Sequence, residues 1–346
     1  MLKRITAFGL CLILLMSASC SKKPAEKPAE EPKEQSEQQV QEPAKIPSSL
    51  NPLTGIYEYE GILNNRPVAV MINNDVRAQD VQAGLPQADI IYETEIEGGE
   101  TRLMAVFQDA QKVENIGTVR SCRYAYIDLA MGHNAVYVSR GYDSIYAGPH
   151  LGGVDYIDLH EGNYGYRPNN GLALEHTLYA KGEKLWSGVS SKFKTTLENV
   201  KPWQTFAKEG EKVTLAGGKA DKVTVAFSGN FKSVFVYDEQ TGLYERNFKD
   251  KVPTEYLTKQ STKVKNVVVC LTKIVDYPNK IHRNIALEGG EGYYITNGTF
   301  QKIKWSKGES SASMKFTQED GSKLVMSPGN TWVCLASSNY SVPTFE

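Results

Sequence analysis

The stretch at 92–107, YETEIEGGETRLMAVF, restricts the fold more than any other part of the chain. Two strand-like runs meet at Gly98-Gly99, and a glycine pair between such runs marks a chain reversal, so the two strands pair antiparallel. Around this hairpin, between residues 67 and 167, strand and helix signals alternate. RPVAVMINN and AVYVSRGY read as buried strands, and SCRYAYIDLAMGH places Tyr124, Ile127, Leu129 and Met131 at helical spacing with Ser121 as N-cap. The second part of GLALEHTLYAKGEKLW also reads as helix. Alternating strands and helices give a parallel sheet, and the hairpin adds an antiparallel member, so this half is expected to be α/β with a mixed sheet.

After Lys201 the texture changes to short β-branched runs separated by EQTG, TNGT and EDGS, which are hairpin turns. The expected organisation is a signal peptide at 1–20, a disordered linker at 21–50, an α/β domain at 51–195 carrying the site, and a smaller β-rich domain at 205–346. A folded part of about 300 residues exceeds one typical core.

The beginning of the chain indicates where it works. A basic tetrapeptide precedes an apolar run at 5–18 that closes in small residues before Cys20, the layout of a secretory signal peptide. The cysteine after Ser17-Ala18-Ser19 resembles a lipobox, which makes Cys20 the expected lipidation (palmitate) site, although Ser17 stands where an aliphatic residue is usual. The Pro-, Glu-, Lys- and Gln-rich segment that follows lacks aromatic residues and cannot bury enough apolar surface to offset its ordering entropy, so it suits a tether. The expected location is the extracytoplasmic face of the cell membrane, lipid-anchored rather than spanning. A formal net charge of -1 argues against nucleic acid as a partner. Cys122, Cys270 and Cys334 show no metal-ligand spacing and read as buried small residues, with a Cys270–Cys334 bridge left open.

Three constellations could carry chemistry. Glu93, Glu95 and Glu97 alternate, which on a strand puts them on one face. Carboxylates held close together repel, and one of them can then serve as a general acid, so Glu93 and Glu97 are the catalytic candidates. Glu95 and Glu100 read as solvated charges guarding an edge strand. The second constellation is GTVRSCR, where Arg120 and Arg123 flank Ser121; with the amides of the helix start they make a cradle for a carboxylate or phosphate, or an ion pair with Glu93 or Glu97. The third is Arg167 and His176. Asp155, Asp158 and His160 only loosely resemble metal spacing and read as a solvated loop, so no metal is expected. No phosphate-binding loop, dinucleotide fingerprint or GxSxG elbow occurs, and no cofactor is indicated.

The ordered motifs RPVAVMINND, QAGLPQADIIYE, EGGETRLMAVF, IGTVRSCRYAYIDLA and LEHTLYA, followed by VYDEQTGLYERN, GEGYYITNGTFQKIKW and SPGNTWV, resemble the YerB-like lipoprotein family of Firmicutes over nearly the whole mature chain. The resemblance implies a Gram-positive envelope lipoprotein with an N-terminal domain of unassigned function and a β-rich C-terminal domain. The family pattern falls on Asn74, Gly84, Glu93, Glu97, Gly98, Gly99, Arg102, Arg120, Ser121, Arg123, Arg167 and His176. The chain departs from it at Thr118, where proline is usual, and at Glu175 and Thr177, which flank His176 in place of proline and asparagine.

Two functions are expected from these residues. In the first, the protein acts on peptidoglycan glycan strands, with Glu97 or Glu93 as acid and Asn74, Arg102, Arg120, Ser121, Arg123, Arg167 and His176 holding substrate. In the second, the same cations grip an anionic wall polymer or an envelope protein partner without catalysis.

Overall fold

The computed structural model describes residues 49–58 and 64–346; the signal segment, Cys20 and residues 21–48 of the linker lie outside the described residues. The 51–195 half is α/β with few helices, and the half after 205 is built of strands, as the change in texture predicts. The two halves share one sheet. Thr331–Ser337, near the C-terminus, lies parallel to Ile90–Glu95 on one side and to Asn266–Thr272 on the other. Ile90–Glu95 continues antiparallel to Thr101–Phe107, which pairs antiparallel with Val68–Asn73; then come Val136–Ser139 and Tyr156–Asp158 in parallel. Six of these strands therefore run in one direction, with Thr101–Phe107 reversed among them.

Local sequence explains the reversals. Gly98 and Gly99 both sit at φ 72°, left-handed geometry that an L side chain resists, and they turn the chain between Ile90–Glu95 and Thr101–Phe107. In the TNGT turn, Asn297 and Gly298 both take positive φ (52° and 73°), as a two-residue hairpin requires, and Gly289–Thr296 folds onto Thr299–Ser306. Lys232–Asp238 and Leu243–Phe248 pair across EQTG. The helix expected in GLALEHTLYAKGEKLW occupies Gly182–Lys192.

Both faces of the sheet are covered. On one face Ile91, Leu103 and Trp332 pack against Val223, Phe235 and Tyr244 of a separate five-stranded sheet; Phe235 meets Trp332 edge-on at 5.6 Å. On the other, Met71, Tyr92, Met104 and Val106 receive Tyr126, Ile127 and Leu129 of the helix Tyr124–Gly132. Each such aliphatic side chain, once buried, contributes about 1.5–3 kcal/mol.

Two expectations change, and the reading of the cysteines as buried small residues holds. Ile90–Glu95 is an interior strand, and Glu95, read as a solvated edge charge, is 2% exposed, held by Arg283 Nη2 and the Tyr340 hydroxyl. The strand ends at Glu95 and Glu97 falls in the following turn, so the three glutamates do not form one row. Cys270 and Cys334 are free: their strands are adjacent, but Cys334 registers with Val269, which leaves the two side chains in cores on opposite faces of the sheet.

Candidate functional site

The six parallel strands end at a common edge, the place where open α/β sheets leave a crevice for ligands. The segment carrying Arg120 is tied across this edge. Asn73 N donates to Thr118 O (2.8 Å), Arg120 N to Met71 O (3.1 Å), Arg140 N to Arg120 O (3.0 Å) and Cys122 N to Gly141 O (2.9 Å). The segment therefore bridges the ends of two strands before the helix Tyr124–Gly132 begins. Ser121 is not the N-cap. Arg123 holds that position and no side chain caps the helix, while the Ser121 carbonyl accepts from Arg102 Nη1 at 3.1 Å.

Register decides which residues meet. Thr94 stands opposite Arg102 and Glu93 opposite Leu103, so Arg102 and Glu93 project from opposite faces of the sheet. The expected single cluster of glutamates beneath three arginines therefore separates into two.

The first cluster holds Arg102, Arg120, Arg123, Glu97 and His176. Arg123 Nε donates to both Glu97 oxygens, at 2.7 and 2.9 Å. Among the described residues no carboxylate lies within ion-pair distance of Arg102 or Arg120, and the Nε of each is buried without an acceptor. Arg102 is 3% exposed; burial, then Arg123, then Arg120, hold its guanidinium down to about 9. Arg120 is lowered as well, chiefly by burial, with Glu175 opposing.

His176 adds a third donor. Asp75 N donates to Asn73 Oδ1 (3.1 Å), which turns the Asn73 amide so that its Nδ2 meets His176 Nδ1 at 2.7 Å. Nδ1 is then the acceptor, and the proton of the neutral ring resides on Nε2. Burial lowers the His176 pKa and favours this neutral form. Nε2 is buried without a partner, and Glu175 Oε1, at 3.8 Å, is beyond hydrogen-bond range. Arg167 fixes the loop that carries His176 by bonding the Leu174 carbonyl and Thr177 Oγ1 (2.8 Å), and Asn170 Nδ2 donates to the His176 carbonyl at 2.8 Å. Arg167 thus supports the site from behind.

The second cluster is buried between the two sheets. Glu93, 1% exposed, accepts from Asn74 Nδ2 (3.1 Å), Thr101 Oγ1 (2.9 Å), Ser233 Oγ (2.8 Å) and Trp332 Nε1 (3.0 Å). Asn74 Oδ1 in turn accepts from Gln79, Gln82 and Arg246. Arg246 donates to Gln79 Oε1 at 2.7 Å, lies over the rings of Phe248 and Trp332, and is lowered by burial despite the pull of Glu93. Every oxygen of Glu93 is engaged by the protein itself, so Glu93 and Asn74 join the halves rather than face a ligand. Sequence reading missed Arg246, although the alternation of Tyr244, Arg246 and Phe248 in LYERNF already puts an arginine on an apolar strand face.

A concavity of about 910 Å³ lies elsewhere, lined by Trp203, Phe206, Phe316 and Leu324. Tyr57 on its wall leads directly into residues 59–63, which are outside the described residues, so the site is assigned from its unpartnered donors rather than from volume.

Comparison with known proteins bears on the whole chain. The family described as "Protein of unknown function (DUF3048) N-terminal domain" matches residues 53–196, and its C-terminal domain matches residues 223–333. The chain is 27% identical over 353 residues to the Bacillus subtilis (strain 168) protein named "Putative lipoprotein YerB", covering 96% of this chain and 95% of that protein. The crystal structure of YerB protein from Bacillus subtilis superimposes with a TM-score of 0.73 at 24% identity, covering 85% of this chain and 98% of that one, which shows the same two-part fold.

Proposed function

Because the chain belongs to the DUF3048 family of YerB-like lipoproteins, we propose that it is a membrane-anchored lipoprotein of the cell envelope that binds an anionic group through Arg102, Arg120 and His176. The observation that carries this reading is three buried N–H donors without an acceptor, Arg102 Nε, Arg120 Nε and His176 Nε2, with Arg120 near enough to act on both of the others. A buried donor left unpaired costs about 1–3 kcal/mol, and a ligand oxygen recovers that cost. The lipobox-like Cys20 supplies the anchor, and among the described residues no helix is long and apolar enough to cross a membrane. A wall polymer outside the membrane is within reach of a domain on such a tether.

Glycan cleavage ranks second. In its favour, Glu97 reaches the rim of the site with a side chain 21% exposed. Against it, both Glu97 oxygens already accept from Arg123, and Glu93 lies on the far face of the sheet. The test incubates the full-length chain with purified cell wall, then measures co-sedimentation and released muropeptides. Retention that is lost in Arg120→Gln, with no released muropeptides, is expected. Release of anhydro-sugar ends that depends on Glu97 would replace binding with lytic cleavage.

A further inference from the structure

Resting on the anion-binding reading, and naming its ligand class, we infer that the group held by Arg102, Arg120 and His176 is a phosphate rather than a carboxylate. The donors come from three separate segments: Arg102 from the start of a strand, Arg120 from the segment bridging two strand ends, and His176 from a short 3-10 turn. The arginine fork pairs with carboxylate and phosphate alike, but a carboxylate offers only two coplanar oxygens where a phosphate offers more. Here each arginine instead leaves its single Nε–H unused, and the histidine leaves one more N–H. Three single donors on three segments match an oxyanion whose oxygens point in different directions, as those of a phosphate do.

Charge also favours an anion. Around the cluster, Arg123 is matched by Glu97 and Arg77 by Asp75. Arg102 and Arg120 have no such partner among the described residues, and their mutual repulsion helps hold Arg102 down. Glu175, which pulls on Arg120 and lies 3.8 Å from His176 Nε2, offsets part of this charge, and the positive charge that remains beside a neutral imidazole donor favours an anion. The helix Tyr124–Gly132 starts directly beyond Arg120 and Arg123, and no side-chain cap bonds its first amides. Its positive end adds to the preference for an anion. A wall-polymer phosphodiester, a lipid headgroup and a soluble phosphate ester share this chemistry.

The test uses the full-length chain in a non-ionic detergent, titrated calorimetrically at fixed ionic strength with inorganic phosphate and, separately, with acetate. Saturable phosphate binding is expected, with acetate at least about tenfold weaker. Arg120→Gln and His176→Leu should each weaken phosphate binding by about tenfold while keeping a cooperative thermal transition, and His176→Gln, which keeps an N–H donor, should lose less. Acetate binding as tight as phosphate would overturn the ligand class and leave the anion-binding reading standing. Absence of binding by either anion, in protein that melts cooperatively, would remove both. Phosphate binding unchanged in Arg120→Gln and His176→Leu would place the ion elsewhere and overturn the inference. Glycerol phosphate oligomers and phosphatidylglycerol vesicles then separate the sources: the oligomers support a polymer ligand, the vesicles a headgroup, and binding of either supports the phosphate class.

Discussion

Arg123 Nε lies 2.7 and 2.9 Å from the two carboxylate oxygens of Glu97. The glutamate that the sequence puts forward as a general acid is thus the partner of a cation that would otherwise face the ligand. Both side chains are about one-fifth exposed and the turn bearing Glu97 rests on Gly98 and Gly99 at positive φ, so the pair can open without disturbing the sheet.

Replacing Glu97 by glutamine therefore frees Arg123 and should raise affinity for phosphate about fivefold, the equivalent of about 1 kcal/mol. Stability should fall by no more than about 1 kcal/mol, because the pair is partly solvated. Titration calorimetry with thermal melting measures both. Weaker binding in Glu97→Gln would show instead that Glu97 itself contacts the ligand.

Glu93 should behave in the opposite way. It accepts from four donors in a buried interface, and Glu93→Ala strands Asn74, Thr101, Ser233 and Trp332 at once. A loss of about 3–5 kcal/mol is expected. Because Asn74 links Glu93 to Arg246, Glu93→Ala and Arg246→Met should be non-additive in a denaturant double-mutant cycle. Additive costs would mean that the two charges are independent.

Acid should weaken the fold before its carboxylates titrate. Burial, with Lys307 adding to it, holds His133 down to about 3, and the ring bonds the Tyr92 hydroxyl at 2.7 Å. The folded pKa lies below the unfolded value, so the unfolded chain binds more protons between the two. The contribution of His133 is complete above about pH 6.5 and is lost progressively toward about pH 3. His176 shifts in the same direction. Asp75, lowered to about 2 by Arg77, acts only below about pH 4. His133→Gln should flatten the stability profile between pH 4 and 6.5, as denaturant midpoints across that window would record.

The shared sheet makes the halves interdependent. A fragment covering 51–195 leaves one side of Ile90–Glu95 without Thr331–Ser337 and exposes the face that Trp332 and Phe235 cover. Such a fragment should give no cooperative melting transition, while the full chain gives one by calorimetry.

Features with a local cause were legible in the sequence. The Gly98-Gly99 reversal and the Asn297-Gly298 turn require positive φ, and that requirement leaves its mark in the residues themselves. Arg120 and Arg123 stand out in the sequence because they flank the expected helix start, where cations are unfavourable. Partners far along the chain were not legible. Arg283 lies 188 residues from Glu95, and Trp332 lies 239 from Glu93, so nothing near either glutamate announces its burial. The division of Glu93 from Arg102 depends on register, because a one-residue step in pairing moves a side chain to the other face. Ser121 was read as a cap from residue type alone, yet the helix starts later, where the chain is released from its bonds to Met71 and Gly141.

The most direct measurement is the nitrogen-15 spectrum of His176 in the histidine-labelled full-length chain, recorded as phosphate is added and assigned by comparison with His176→Gln. The geometry requires a neutral ring protonated on Nε2, with Nδ1 accepting from Asn73. Phosphate should shift the Nε2–H resonance downfield and slow its exchange with water, saturating together with the calorimetric binding. A ring protonated on Nδ1, or an Nε2 signal that ignores phosphate while the protein stays folded, would contradict the assignment of this cluster as an anion site.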